Sequence, residues 1–263
     1  MTDFEAMVVT LASADVVFLG EQHDDFGTHR LQAAVLEGIA RRRQGPVVVA
    51  LEMFERDAQP ALDAWMRGAS TEAAFLEHSR PWPNYAADYR PLIEVARAEN
   101  WPVVAGNVPR RFAQLVGRKG LRSLDSLPPG DRALIADELV CPRDEYWRRF
   151  AETMGDMSGH GMQVTPAEAD AMKWRFYEAQ CVKDETMAEA VARAYREHET
   201  LVVHVNGAFH SDRGLGTAER VRRRLPDARV VVVTFVPRAD LDTVDAAAHR
   251  AMGDFIVFTL DQD

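Results

Sequence analysis

The stretch Val16-Val17-Phe18-Leu19-Gly20-Glu21-Gln22-His23-Asp24-Asp25, followed by His29, decides how the chain is read. Its apolar start is too short to cross a membrane and has the β-branched and aromatic composition of a strand covered on both faces. The run stops at Gly20. A carboxylate and an imidazole follow, and then a helix, with Leu31, Val35, Leu36 and Ile39 at helical spacing up to the stop signal Gln44-Gly45-Pro46. Open parallel sheets bind ligands just outside the carboxyl ends of their strands, so Glu21 and His23 stand where a site forms. The plainer alternative is that the pair caps the helix or meets a nearby arginine.

The pattern recurs along the chain. Residues 47–51 form a second apolar run that ends at Glu52, and 102–105 a third that leads into Gly106-Asn107. Residues 201–205 lead into Asn206-Gly207-Ala208-Phe209-His210, 229–234 read as a fifth strand, and 255–260 as an edge strand. Helices are expected at 4–13, before the first strand, and at 239–252, before the last. Strands separated by helices imply right-handed βαβ units, and therefore an α/β fold with a mostly parallel β-sheet flanked by helices. Between about 111 and 199 the alternation stops and the sequence reads as a smaller all-helical insertion domain. The α/β domain is thereby split into 1–110 and 200–263.

Parallel strands gather their exits on one edge, which would bring together Glu21, His23, Glu52, Asn107, His204, Asn206 and His210. Two carboxylates and three imidazoles suit a divalent metal such as Zn, Fe or Mn, with Glu21, His23, His204 and His210 as ligands. The same residues suit a hydrolase in which Glu21, His23, Glu52, His204 and His210 activate water, with or without metal, and Asn107 and Asn206 orient the substrate. A histidine on a strand is often a satisfied core residue, and His29, one turn into a helix, reads as structural. Several buried carboxylates kept together, however, are costly without a use.

The insertion carries a second constellation. Helices are expected at 131–138 and 143–153, and Gly159-His160-Gly161-Met162 lies in a loop beside Tyr146, Trp147, Trp174 and Tyr177. Imidazole, thioether and phenol near aromatic rings are the residue mix of a haem or soft-metal pocket, and Cys141-Pro142 offers a further donor. Ordinary core packing around a glycine loop accounts for the same composition. Thr165-Pro166-Ala167-Glu168 is a capping box that starts a helix reaching about residue 198, roughly 50 Å at ~1.5 Å per residue. Gln180 and Asp184 fall on its apolar face, where polar groups need partners.

Composition narrows the options. The 263 residues are 47% hydrophobic and 27% charged, as in an ordinary globular protein, and their net charge of -10 argues against nucleic-acid or anionic-membrane partners. Arg41-Arg42-Arg43 and Arg222-Arg223-Arg224 sit at expected helix ends, where they suit the helix dipole. Cys141 and Cys181 have no zinc spacing and read as free thiols in a reduced interior. No G-x-S-x-G, P-loop, G-x-G-x-x-G or H-E-x-x-H is present. With no basic-then-apolar leader and no transmembrane segment, the expected location is cytoplasmic.

These motifs resemble a known family. Gly-Glu-Gln-His at 20–23 with His29 and Gln32, Leu-Glu-Met-Phe at 51–54, and Trp82, Tyr85 and Tyr89 before Pro91 are similar to the ChaN family. So are Gly-Asn-Val-Pro-Arg at 106–110, Glu-Ala-Gln-x-x-x-Asp-x-x-Met-Ala at 178–188 and Asn-Gly-x-Phe-His at 206–210. That family comprises haem-binding iron-uptake proteins within a broader group that includes Tiki-type and erythromycin-esterase-like proteins. The resemblance implies haem held in the helical part, in one member face to face across a homodimer with a tyrosine on the iron. Here Tyr146, His160, Met162 and Tyr177 are the candidate cofactor-binding residues, and Arg148, Arg149 and Arg175 the candidate propionate partners. It also implies a lipoprotein of the cell envelope, although this sequence shows no lipobox cysteine. In the broader group the strand-exit carboxylate and histidine are catalytic, which the Glu21-Gln22-His23 spacing matches approximately.

Overall fold

The computed structural model describes residues 3–155 and 165–261. The chain divides into two compact units, Met1–Asn107 with Ala188–Asp263, and Val108–Met187. The first unit opens with α1 (Phe4–Ala12), β1 (Val16–Glu21), α2 (Phe26–Arg42), β2 (Val48–Glu55), α3 (Gln59–Met66) and α4 (Glu72–Ser79). A π-helical turn (Tyr85–Tyr89), α5 (Arg90–Ala98) and β3 (Val103–Asn107) follow. The second unit holds α6 (Arg110–Lys119), α7 (Pro129–Arg132), α8 (Glu145–Met154) and the larger part of α9 (Pro166–His198). From residue 188 the chain belongs again to the first unit, with β4 (Val202–Gly207), α10 (Gly216–Arg224), β5 (Val230–Arg238), α11 (Ala246–His249) and β6 (Phe255–Leu260).

The six strands run in the order β3-β2-β4-β1-β5-β6, and every pairing is parallel. β1 lies between β4 and β5, and all six of its residues are buried, which is why it reads as an unbroken apolar run. Alternate residues feed two cores. Val17, Leu19, Val49, Leu51, Val203 and Val205 pack with residues of α1, α2, α3 and α5, while Val16, Phe18, Val48, Ala50 and Val202 pack with the end of α9 and with α10. β4 enters the sheet between β1 and β2 although it follows both in sequence. The chain thus reverses direction of growth around the β2-β4-β1 trio, the position at which such sheets open a crevice.

Several expectations are corrected. The two cysteines are not free thiols: Cys141 and Cys181 form a disulfide across a sequence separation of 40. No zinc-type or framework spacing announces this, because the pairing depends on the strap before α8 returning to α9. Closing a loop of that length typically stabilises a fold by about 2–4 kcal/mol. The helix expected at 239–252 shrinks to α11, and that at 131–138 to α7. In the latter, Arg132 guanidinium bonds to the carbonyls of Ile135 and Ala136 take the place of further helical turns. The Thr165 capping box is present, with Glu168 N–H donating to Thr165 Oγ1 at 3.3 Å and Thr165 N–H to Glu168 Oε2 at 2.8 Å.

Gly20 marks the tightest approach at the end of β1. A Cβ there would lie 2.8 Å from Ser211 Oγ and 3.1 Å from Ala208 Cα, and Ser211 is itself fully buried. We expect Gly20→Ala to cost about 1–3 kcal/mol by overpacking. Urea unfolding would measure this, and an unchanged midpoint would show that the turn after β4 yields freely.

Candidate functional site

The ends of β1, β2 and β4 bring two carboxylate–histidine pairs to either side of Gly207. In register, Glu21 lies opposite Gly207. The β2–β4 pairing stops at Leu51↔Val205, and β2 bulges before it meets Asn107. There Glu52 Oε2 accepts the Gly207 N–H at 2.8 Å, so a side chain replaces the lost strand partner. Its other oxygen lies 3.3 Å from His210 Nε2. His23 Nδ1–H donates to Glu21 Oε1 at 2.9 Å, and the far edge of its ring rests on Gly207, whose hypothetical Cβ would be 2.8 Å from Nε2. A side chain at 207 would push the imidazole away from this position.

Glu21 is fully enclosed, and four side chains brace it. Tyr89 OH donates to Oε1 at 2.7 Å and Gln32 Nε2 to Oε2 at 2.9 Å, while His29 Nδ1 is 3.5 Å from Oε2. His29 is buried between Glu21 and the π-helical turn, its Nε2 lying 3.2 Å from the His23 carbonyl and 3.8 Å from Asp88 Oδ2. Asn84 closes the ring, donating to the His23 carbonyl at 3.0 Å and to Asp88 Oδ2 at 2.8 Å. Burial, with the Glu21 charge beside it, pushes the Tyr89 phenol far above its usual range, so Tyr89 remains the donor.

His23 differs from its neighbours. Its side chain is 45% exposed, and no protein group hydrogen-bonds its Nε2 among the described residues. Partial burial lowers its pKa, but the Glu21 hydrogen bond and the charges of Glu52 and Glu21 outweigh that and the opposing His210, so the net shift is upward. Trp82 stands edge-on to the ring at 4.8 Å and forms a half-buried apolar wall. A carboxylate that holds Nδ1 and leaves Nε2 open is the arrangement of a general base.

The structure therefore brings Glu21, His23, Glu52 and His210 together; Asn107 pairs in register with Glu55, and two further expected members stand elsewhere. His204 pairs in register with Phe18 and Ala50, which puts it on the opposite sheet face from Glu21, with Nδ1 3.1 Å from the Ala50 carbonyl. Asn206 is wholly buried, donating to the Gly207 carbonyl at 2.8 Å and to Ser211 Oγ at 3.0 Å, so it braces the turn and does not face a substrate. Among the described residues no group of three or more His, Cys, Asp or Glu is placed to hold a metal ion. Tyr89, Gln32, Asn84 and Asp88 were missed as site residues. The available signal was polar side chains at helical spacing on an apolar face, His29 and Gln32 among them.

In the helical unit, the polar residues on the apolar face of α9 find their partners. Tyr146 OH donates to Asp184 Oδ2 at 2.9 Å and accepts from Gln180 Nε2 at 3.0 Å. Tyr177 OH donates to Asp144 Oδ1 at 3.3 Å. Both tyrosines are buried, and the rings of Trp147, Phe150 and Trp174 surround Tyr177 with centroids 5.0, 5.4 and 5.5 Å away. The Arg143 guanidinium stacks 4.4 Å from the Trp174 centroid, and Arg148 pairs with Glu145. His160 and Met162 lie outside the described residues.

A family model, haem-binding uptake, Tiki superfamily, ChaN, matches residues 7–221, and the chain belongs to that family. No curated protein sequence matches it. Among solved structures it is similar to ChaN of Campylobacter jejuni, described as showing cofacial haem binding, with a TM-score of 0.68 and 17% identity over 97% of this chain and 91% of that one. It is also similar to the type III effector HopBA1, with a TM-score of 0.53 and 12% identity over 97% and 92% of the two chains. A mutant erythromycin esterase, EreC, in its open conformation gives a TM-score of 0.53 and 10% identity over 90% and 74%. At these identities the likeness is one of fold.

Two outcomes follow from the geometry. Glu52→Gln removes a charge beside His23 but retains an acceptor for Gly207, so the His23 midpoint in an NMR pH titration should fall. Because its folded pKa is raised, the stability His23 contributes is fully present below its ordinary value near 6.5 and is lost as pH rises through the folded value. A midpoint indifferent to Glu52→Gln would contradict this. Tyr89→Phe deprives a buried carboxylate of a donor and should destabilise the protein by about 1–3 kcal/mol in thermal or urea unfolding.

Proposed function

We propose that this chain binds haem and serves haem or iron acquisition or storage, with the helical unit holding the porphyrin. The observation that carries the reading is the family match across residues 7–221. A porphyrin needs flat apolar surface, cations for its propionates and an axial donor to iron. Half-buried Trp147, Phe150 and Trp174 supply the surface, and Arg143, Arg148, Arg149 and Arg175 are the nearby cations. The axial donor comes from Tyr146, His160, Met162 or Tyr177. Either tyrosine must first give up its carboxylate partner, Asp184 or Asp144. Bound haem would supply the iron chemistry, and the protein's part is to enclose and orient it. A homodimer belongs to this reading, as cofacial haems require two binding faces.

The Cys141–Cys181 disulfide supports a place in an oxidising compartment such as the cell envelope, where such bonds persist. Among the described residues no helix is long and apolar enough to cross a membrane.

A second reading rests on a different observation, the open Nε2 of His23 facing the Glu52–His210 pair. In it the sheet edge is a hydrolytic site: His23 takes a proton from water, Glu21 steadies the imidazolium, and His210 returns a proton to the leaving group. Both activities are compatible with one chain.

Haemin titration separates them. We expect a saturable Soret shift that survives His23→Ala and is lost or altered when Tyr146, His160 and Tyr177 are replaced together. No shift beyond that given by serum albumin would overturn the haem reading. In an esterase and peptidase screen, any turnover should fall at least about a hundredfold in His23→Ala, the usual contribution of a general base. Turnover unaffected by that change would remove the second reading.

A further inference from the structure

The cross-link in the helical unit sits on the strap that leads into the aromatic cluster. Residues 133–144 form neither helix nor strand. Residues 133–140 are pinned by polar contacts: Ala136 N–H donates to Thr186 Oγ1 at 3.2 Å, Val140 N–H to Glu185 Oε1 at 3.3 Å, and Ile135 and Ala136 are buried. From Cys141 onward the attachment is different. Cys141, half-buried, is bonded to the buried Cys181, one turn along α9 from Tyr177. Asp144 accepts the Tyr177 hydroxyl and caps α8 through the Trp147 N–H at 3.0 Å. Between these anchors lies Arg143, exposed, with its guanidinium 5.3 Å from the Trp147 centroid and 4.4 Å from that of Trp174.

We propose that the Cys141–Cys181 bridge is a redox latch on the aromatic face of the helical unit. Closed, it holds Arg143 over Trp147 and Trp174 and fixes the start of α8. Opened by a dithiol, it releases 141–144 and loosens the surface on which the porphyrin lies. The opening transfers two electrons and two protons. One thiolate of the dithiol attacks the half-buried Cys141 sulfur, the S–S bond breaks, and Cys181 leaves as a thiolate that takes up a proton. The second thiol then closes on its own mixed disulfide, releasing Cys141 as a thiol and the reductant as a cyclic disulfide. The consequence for haem rests on the haem reading; the movement of the strap does not.

Hydrogen exchange read by mass spectrometry tests the latch on the whole chain. Amides of 141–147 should exchange faster in dithiothreitol than in the oxidised protein and recover on reoxidation, whereas those of β1 and β4 should not change. Haemin titrations without reductant then compare the oxidised protein with Cys141→Ser/Cys181→Ser, whose dissociation constant should be roughly tenfold higher, about 1.4 kcal/mol of binding. Two free thiols in the air-purified protein, or exchange at 141–147 that ignores reduction, would overturn the latch. Faster exchange with unaltered haemin affinity would overturn its control of haem. If no form binds haemin, the haem reading falls, and the exchange result alone judges the latch.

Discussion

A carboxylate with no access to water must find its hydrogen-bond donors in the protein, and the end of the sheet is built around that requirement at Glu21. Its donors come from separate parts of the chain: Tyr89 from the π-helical turn, Gln32 from α2, and His23 from the residue pair beyond β1, with His29 of α2 standing 3.5 Å from Oε2. Each would be costly to bury alone, and together they satisfy one another. The network therefore ties the turn before α5 to the helix after β1, and it sets the plane of the His23 ring. What remains open is a single nitrogen, Nε2, held over a glycine and beside a tryptophan. Preorganisation of this kind is what acid–base chemistry needs, whether or not the chain uses it.

The helical unit repeats the logic with other residues. Asp184 and Asp144 take the hydroxyls of Tyr146 and Tyr177, and Gln180 completes the first of these pairs. The tyrosines thus act as pillars between α8 and α9, with indole and phenyl rings filling the space around them. A family that binds haem can use such a cluster as a surface for the porphyrin. Here the phenols are engaged, so any role on iron competes with their role in packing. The disulfide adds a covalent restraint at the point where the strap approaches this cluster.

Much of this was legible from residue order. The strand runs, the polar exit at Glu21, the capping box at Thr165 and the helical character of the middle of the chain all rest on local periodicity, and the structure carries each of them, whereas β2 runs past Glu52 to Glu55. The family could be read from motifs spread along the chain. Less legible was which strand-exit residues share a face. Glu21 closes one apolar run and His204 lies inside another, next to its end, yet both were expected at one edge; the pleat sends them to opposite sides of the sheet. Nor did spacing show that Glu52 would reach the Gly207 amide, because that follows from a bulge in β2.

By itself, then, the sequence determined the parallel α/β architecture and the family, because continuous apolar runs, glycine stops and helical stripes are local and survive without knowledge of neighbours. Only the tertiary structure decided the order β3-β2-β4-β1-β5-β6, the disulfide and the membership of the site. These depend on register and on contacts between residues far apart in the chain, such as Glu21 with Tyr89 and Cys141 with Cys181. A one-residue change in register would exchange the faces of the sheet and scatter the same side chains, leaving every local signal unaltered.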